Sequence, residues 1–204
     1  MFAIGPSFFK HITSSSGYTY SSNQSSLLGR ASLTAIVNNT YADDSNLKLQ
    51  ALPFTFKFFG RDFGNDLNGG IYIGSNSFIT FGFGSNSYSG FSATNPGLGI
   101  LVNAADRAWE YVYAGIENGN FRVRWEGSNV GSQITSAYWE MIFFTNGMIQ
   151  LVLGTYPAPI GVSGISNGTA FSPSTTFDQN TSYALVPDAN GSNWVITPGS
   201  IVPA

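Results

Sequence analysis

The sequence predicts an all-β fold, an antiparallel β-sandwich preceded by an extended N-terminal arm, and three observations carry that prediction. Apolar residues alternate with a period of two along several segments, Asn-Gly pairs separate apolar runs, and no segment carries a sustained 3.6-residue apolar stripe with caps. Ala104 to Tyr113 and Leu27 to Val37 are the stretches that come nearest to a helical turn. Regular short strands with closely spaced turns point to a sandwich.

The 204 residues suffice for one large sandwich or for a core with appended arms. Residues 1–46 read as the arm. Phe8-Phe9 is followed by a Ser-, Tyr- and Asn-rich stretch over residues 13–26, too poor in apolar residues to fold alone. Such an arm becomes ordered on a neighbouring subunit or on its own core; a loose terminus is the alternative.

Residues 47–204 read as the sandwich with its C-terminal strands. In Leu52-Pro53-Phe54-Thr55-Phe56-Lys57-Phe58 the three phenylalanines share one face, with Thr55 and Lys57 on the other. Phe121-Arg122-Val123-Arg124-Trp125-Glu126 repeats the pattern: Phe121, Val123 and Trp125 point inward, both arginines and the glutamate outward, so one face is expected to be wet. Hairpin turns are expected at Asn118-Gly119, Asn146-Gly147 and Asn190-Gly191, because a type I′ turn needs positive φ at both central residues. With Asn146-Gly147 as a two-residue loop, Phe144 opposes Ile149, Ile142 opposes Leu151 and Glu140 opposes Leu153 on the core face.

The other face of that hairpin then carries Trp139, Met141, Phe143, Met148 and Val152, interrupted by Thr145 and Gln150. A second apolar face needs a cover, either another layer of the same domain or a partner. Trp139, Met141 and Phe143 are therefore candidates for an interaction surface. Arg107 and Trp109 join them from the charged island Asp106-Arg107-Ala108-Trp109-Glu110, since exposed Trp and Arg favour interfaces; a local ion pair orienting a loop is the alternative.

Composition narrows the function classes. Charged residues make up 9% of the chain, against about 25% in ordinary globular domains, so the surface is solvated by Ser, Thr, Asn and Gln. It lacks the charges that keep free sheets apart, as suits a subunit of a stable assembly. All 8 basic residues lie between Lys10 and Arg124, which leaves no clustered footprint for nucleic acid. The absence of cysteine excludes disulfides, zinc-thiolate sites and thiol catalysis. No run approaches a membrane span, and the opening Met-Phe-Ala-Ile-Gly-Pro lacks the charged and apolar regions of a signal peptide, so synthesis and folding in a cytoplasm are expected.

Catalytic constellations are not in evidence in the sequence. His11, the single histidine, lies in the polar arm, where a Ser-His-Asp arrangement would have to be built on an unstructured segment. Asp106 with Glu110, and Asp43 with Asp44, are the nearest carboxylate pairs, the latter read more simply as a turn. Phe63-Gly64-Asn65-Asp66-Leu67-Asn68-Gly69-Gly70 has the composition of a calcium loop without its spacing and reads as a glycine-rich turn. Gly82-Phe83-Gly84 and Gly97-Leu98-Gly99 lack the third glycine and helix of a nucleotide site. No enzyme activity, cofactor or metal is expected. The loop over residues 84–91, with its aromatics among Ser and Asn, could stack on sugars or serve as an ordinary mobile loop.

Two segments resemble the opening of a nidogen-type domain: Leu52-Pro53-Phe54-Thr55-Phe56-Lys57-Phe58-Phe59-Gly60, and Ile71-Tyr72-Ile73-Gly74-Ser75-Asn76-Ser77-Phe78-Ile79-Thr80-Phe81-Gly82. The similarity continues through Ala105-Asp106, residues 121–127, the hairpin at 138–154 and residues 161–166, spanning 47–171 in all. Ser77 stands where that family often has Gly, and the animal members are secreted beside disulfide-rich modules, unlike a chain without cysteine. The resemblance implies a β-sandwich with a structural or adhesive role. Similar modules occur in structural proteins of bacterial viruses, and low charge with abundant Gly, Ser and Asn suits one. By that analogy the expectation is a virion protein made in the host cytoplasm, a capsid-decoration or tail/fibre component. It would assemble with copies of itself or with other virion proteins, without nucleic acid or membrane insertion. A module binding a host-surface glycan or receptor is the alternative.

Overall fold

The structure, a computed structural model, describes residues 18–21, 34–42, 44–48, 52, 54–64, 67–86, 97–106, 109–128, 134–154, 162–169, 171–173, 177–178 and 180–203. Among them the chain is all-β, with no helix. The strands are β1 (Tyr18–Ser21), β2 (Thr34–Ala42), β3 (Asn46–Lys48), β4 (Phe56–Phe58), β5 (Arg61–Phe63), β6 (Ile71–Gly74), β7 (Phe78–Phe81) and β8 (Leu98–Ala104). They continue with β9 (Trp109–Glu117), β10 (Asn120–Ser128), β11 (Ile134–Phe143), β12 (Ile149–Leu153), β13 (Val162–Asn167), β14 (Phe171–Pro173), β15 (Thr181–Pro187), β16 (Trp194–Pro198) and β17 (Ser200–Pro203).

A seven-stranded sheet in the order β16-β15-β12-β11-β10-β9-β2 and a six-stranded sheet in the order β14-β13-β8-β7-β6-β3 form the two layers. One large core lies between them: Ile73, Ile79, Phe81, Ile100 and Val102 from the smaller sheet meet Val123, Trp125, Met141, Phe143, Leu151 and Leu185 from the larger. The short hairpin β4–β5 adds the inward-facing Phe56, Phe58 and Phe63 to the same core while Lys57 stays exposed, as the alternation of that segment predicts. Phe58 stacks on Phe81 at 4.1 Å and Phe56 meets Phe143 edge-on at 5.1 Å, geometries that add to area burial. The stretches that came nearest to a helical stripe hold no helix among their described residues: Thr34–Val37 belong to β2 and Trp109–Tyr113 to β9, and β2 pairs with β9, and β9 with β10.

The segment expected as an arm thus contributes two described strands to the layers or their ribbon. β2, inside residues 1–46, is the outermost strand of the large sheet, and β1 pairs with β17 in a separate two-stranded sheet. His11 lies outside the described residues.

The hairpin turns separate by their backbone. Asn118 and Gly119 both have positive φ, 50° and 77°, and Glu117 pairs with Asn120, the two-residue turn expected of Asn-Gly. At Asn146-Gly147 only the glycine does, at 86°, and the Phe144 amide bonds the Met148 carbonyl across a three-residue loop. The register is therefore one residue away from the expected one: Phe143 opposes Ile149, Met141 opposes Leu151 and Trp139 opposes Leu153. A one-residue shift turns one strand over against its partner, and here the strand is β11, since Ile149, Leu151 and Leu153 of β12 face the main core as expected. Trp139, Met141 and Phe143 accordingly belong to the main core, while Ile142, Phe144, Met148, Val152 and Ala184 form a second cluster on the outer face. At Asn190-Gly191 the hairpin β15–β16 closes through a wider loop, from Pro187 to Trp194.

Two glycines are required by rings rather than by φ. A Cβ on Gly154 would stand 2.2 Å from Tyr138 Cζ, and one on Gly74 2.3 Å from Phe78 Cζ, because each ring lies over the glycine opposite it in the neighbouring strand. Gly154→Ala is expected to cost about 1–3 kcal/mol by displacing the Tyr138 ring. Gly119→Ala meets no atom within 4 Å and should cost only about 1–2 kcal/mol, the left-handed backbone alone. Urea unfolding of both variants, with near-ultraviolet circular dichroism to report the ring, checks the pair.

Candidate functional site

Of the charges that the sequence placed on a wet face, Arg122 is fully buried among the described residues, and it meets Glu140, which the sequence placed on the core face of its hairpin. Arg122 is 0% exposed and Glu140 1%. Their strands explain the encounter, since β10 and β11 pair Arg124 with Glu140 and put Arg122 one position beyond on the same outer face. Arg122 Nε and Nη2 both donate to Glu140 Oε1, at 2.9 and 2.7 Å, and Arg122 Nη1 donates to Glu117 Oε2. Arg124 Nη1 donates to Glu140 Oε2 at 3.2 Å and its Nε to Glu126 Oε2 at 2.8 Å. The Arg124 guanidinium also lies 4.7 Å from the Tyr138 ring centre, a cation–π contact.

Three carboxylates and two guanidiniums thus form one ladder across β9, β10 and β11, bordered by the apolar cluster around Ile142 and Phe144. The expected open face at Arg122 is corrected on this ground: charges survive burial when paired and hydrogen-bonded, and this set is. Burial raises the Tyr138 phenol above the ordinary tyrosine range, Arg124 pulling it down and Glu140 pushing it up. The carboxylates here are engaged by arginines, an arrangement that rigidifies and offers no unpaired base for proton transfer.

A second polar constellation lies inside the other layer. Ser75, Asn76 and Ser77, the turn between β6 and β7, are all buried. The Ser77 hydroxyl oxygen accepts from the indoles of Trp109 and Trp139, each at 2.9 Å, and Trp125 Nε1 donates to the Gly74 carbonyl at 3.0 Å. Asn76 Nδ2 donates to Asp44 Oδ1 at 2.8 Å, tying down the Asp-rich turn before β3.

Of the residues expected to form an interaction surface, Trp139, Met141, Phe143 and Trp109 are therefore core residues, none more than 1% exposed. Trp109 and Trp139 pack edge-to-face at 5.6 Å beneath Ser77 and present nothing to a partner. The shifted hairpin register and the two indole hydrogen bonds account for the correction. Arg107 lies outside the described residues, as does the side chain of Glu110; Asp106 is exposed.

At one end of the sandwich the β11–β12 loop, the β15–β16 loop and β4 enclose an open cleft of about 250 Å3, lined by Thr55, Lys57, Asn146, Pro187 and Asp188 among others. Asp188 folds its own loop: Oδ2 accepts from Asn193 Nδ2 at 2.7 Å, and Oδ1 from the amides of Ser192 at 2.8 Å and Asn190 at 3.1 Å. The Asn193 side chain first, then the Ser192 amide, hold its carboxyl below the usual aspartate range. A depressed folded value means the loop's ordering is complete above the unfolded value of about 4 and is lost as pH falls through the folded one. Amide protection in residues 188–193, taken as the exchange rate relative to that of an unstructured amide at the same pH, should fall on acidification in the native protein, and in Asp188→Ala it should be low and flat across the same pH range.

Among the described residues no three His, Cys, Asp or Glu side chains stand close enough to hold a metal ion, and no helix is long and apolar enough to cross a membrane. Comparisons with protein-family models, with curated proteins and with solved structures find no match to the chain.

Proposed function

We propose that the chain is a non-enzymatic structural protein of a bacterial virus, a capsid-decoration or tail/fibre component that assembles through its sandwich surfaces and N-terminal segment. The observation that carries this reading is where the polar chemistry goes. The ladder of Arg122, Arg124, Glu117, Glu126 and Glu140 ties three strands of the larger sheet together, and the indole clamp at Ser77 joins the two layers. What remains for function is edges, loops and the terminal ribbon, the parts through which a repeating subunit meets its neighbours. The nidogen-type resemblance and the scarcity of charge support the same reading, with the virion as location and with other virion proteins or further copies as partners.

Mass spectrometry of purified virus particles, with antibody labelling seen by electron microscopy, tests it. The expected result is regular labelling at fixed positions on the particle. Recovery of the protein only from the host lysate, never from particles, overturns it.

A module that binds a host-surface glycan or receptor is the second reading, favoured by the stacked Tyr111 and Tyr113 rings at 5.6 Å and by the polar cleft beside Lys57. Saturable binding on a glycan array, lost on replacing those tyrosines, would select it.

A further inference from the structure

We propose that β1 is a donor strand, and that in the assembled protein it pairs with β17 of a second copy of the chain. The inference deepens the assembly reading above by naming the contact through which copies join.

Among the described residues β1 and β17 form a two-stranded sheet of their own, separate from the strand ladders of both layers. Their register is antiparallel, Tyr18 with Pro203, Thr19 with Val202, Tyr20 with Ile201 and Ser21 with Ser200. The two strands are held very differently. β17 follows β16 directly, and the amide of Gly199 between them donates to the Ser182 carbonyl of β15 at 2.7 Å, which fastens the acceptor to the large sheet. β1 is joined to β2 through residues 22–33. Those twelve residues can span up to roughly 40 Å, against a radius of gyration of about 17 Å for a folded chain of this length. The connection is thus long enough for β1 to reach the β17 of an adjacent molecule.

Energetics favour exchange once copies are close. An isolated two-stranded ribbon of four-residue strands is marginal in water. The same backbone hydrogen bonds form whether donor and acceptor belong to one chain or to two, so exchange costs little beyond association. Neighbours fixed in a lattice supply an effective concentration in the millimolar range, which offsets that cost. Neither Tyr18-Thr19-Tyr20-Ser21 nor Ser200-Ile201-Val202-Pro203 carries a charge that would discourage pairing between chains.

The absence of native cysteine makes the test clean. Paired strands place opposite Cα atoms about 4.5–5.5 Å apart, within disulfide range. Two full-length chains with different tags, one Tyr20→Cys and the other Ile201→Cys, are co-expressed, concentrated to about millimolar and oxidised with diamide. A covalent heterodimer at least tenfold more abundant than either homodimer is expected, and the double variant in one chain should give a ladder of linked chains. The Thr19→Cys and Val202→Cys pair repeats the measurement at the next register position. Closure of the disulfide inside single chains of the double variant, with no heterodimer from the mixture, overturns the proposal. Failure of both variants to cross-link overturns it as well, since the register itself would then be wrong. A missing heterodimer in a protein that does label virus particles removes strand exchange and leaves the virion reading standing; a heterodimer in a protein absent from particles does the reverse.

Discussion

Glu140→Ala is expected to lower the stability of the protein by about 3–5 kcal/mol, a large fraction of the roughly 5–15 kcal/mol that holds a domain of this kind together. The substitution leaves Arg122, wholly buried, with a single remaining carboxylate partner in the ladder at Glu117, and deprives Arg124 of one of its two. The loss reflects the stranding of charge far more than the worth of one contact, since desolvating a guanidinium is what the carboxylate offsets. The double variant Arg122→Met with Glu140→Leu should therefore recover most of the stability, by removing the buried cation together with its partner. Urea midpoints at unchanged slope would establish the order wild type, double variant, then Glu140→Ala. If the single and double variants were equally destabilised, the ladder would be acting through packing and not through charge.

Ser77→Ala should be the next most damaging change, at roughly 2–5 kcal/mol. It leaves the indole N–H groups of Trp109 and Trp139 without their acceptor in the middle of the core, at about 1–3 kcal/mol for each unsatisfied donor. Ser77 also sits at φ 66°, a left-handed conformation that costs a side-chain-bearing residue about 1–2 kcal/mol. Ser77→Gly relieves that strain while losing the hydroxyl, so it is expected to be the more stable of the two variants and still less stable than the native protein. Denaturant titration followed by tryptophan fluorescence reads both the midpoint and the environment of the two indoles. Equal stability of the Ala and Gly variants would remove the backbone contribution from this account.

The layers were legible in the sequence because period-two alternation is a local property. Phe56, Lys57 and Phe58 read as buried, exposed and buried, and so they are; Asn118-Gly119 turns as Asn-Gly should. The second Asn-Gly pair shows where local reading ends. The same dipeptide closes either a two-residue or a three-residue loop, and the choice, which turns β11 over while Ile149, Leu151 and Leu153 of β12 keep the core face, is made by packing against the other sheet. The interaction surface assigned to Trp139, Met141 and Phe143 was lost through that one-residue difference. The charge ladder did leave a trace: Glu140, set in the apolar run Trp139-Glu140-Met141-Ile142-Phe143-Phe144, signals a buried partner, and Arg122 and Arg124 supply alternating cations in another strand. What joins them is strand order, which the sequence does not spell out. Ser77 left less, since a serine in a turn is ordinary; its importance comes from two tryptophans 32 and 62 residues away.

The rings of Phe78 and Tyr138, laid over Gly74 and Gly154, impose an order on how this chain can drift. Giving Gly74 a side chain while Phe78 is present drives it into the ring, whereas trimming the ring first opens a space that a later, larger residue at 74 can occupy. Each couple therefore changes as a unit and by one route only. Descendants should show glycine with an aromatic, or a larger residue with a small one, and seldom a mixture.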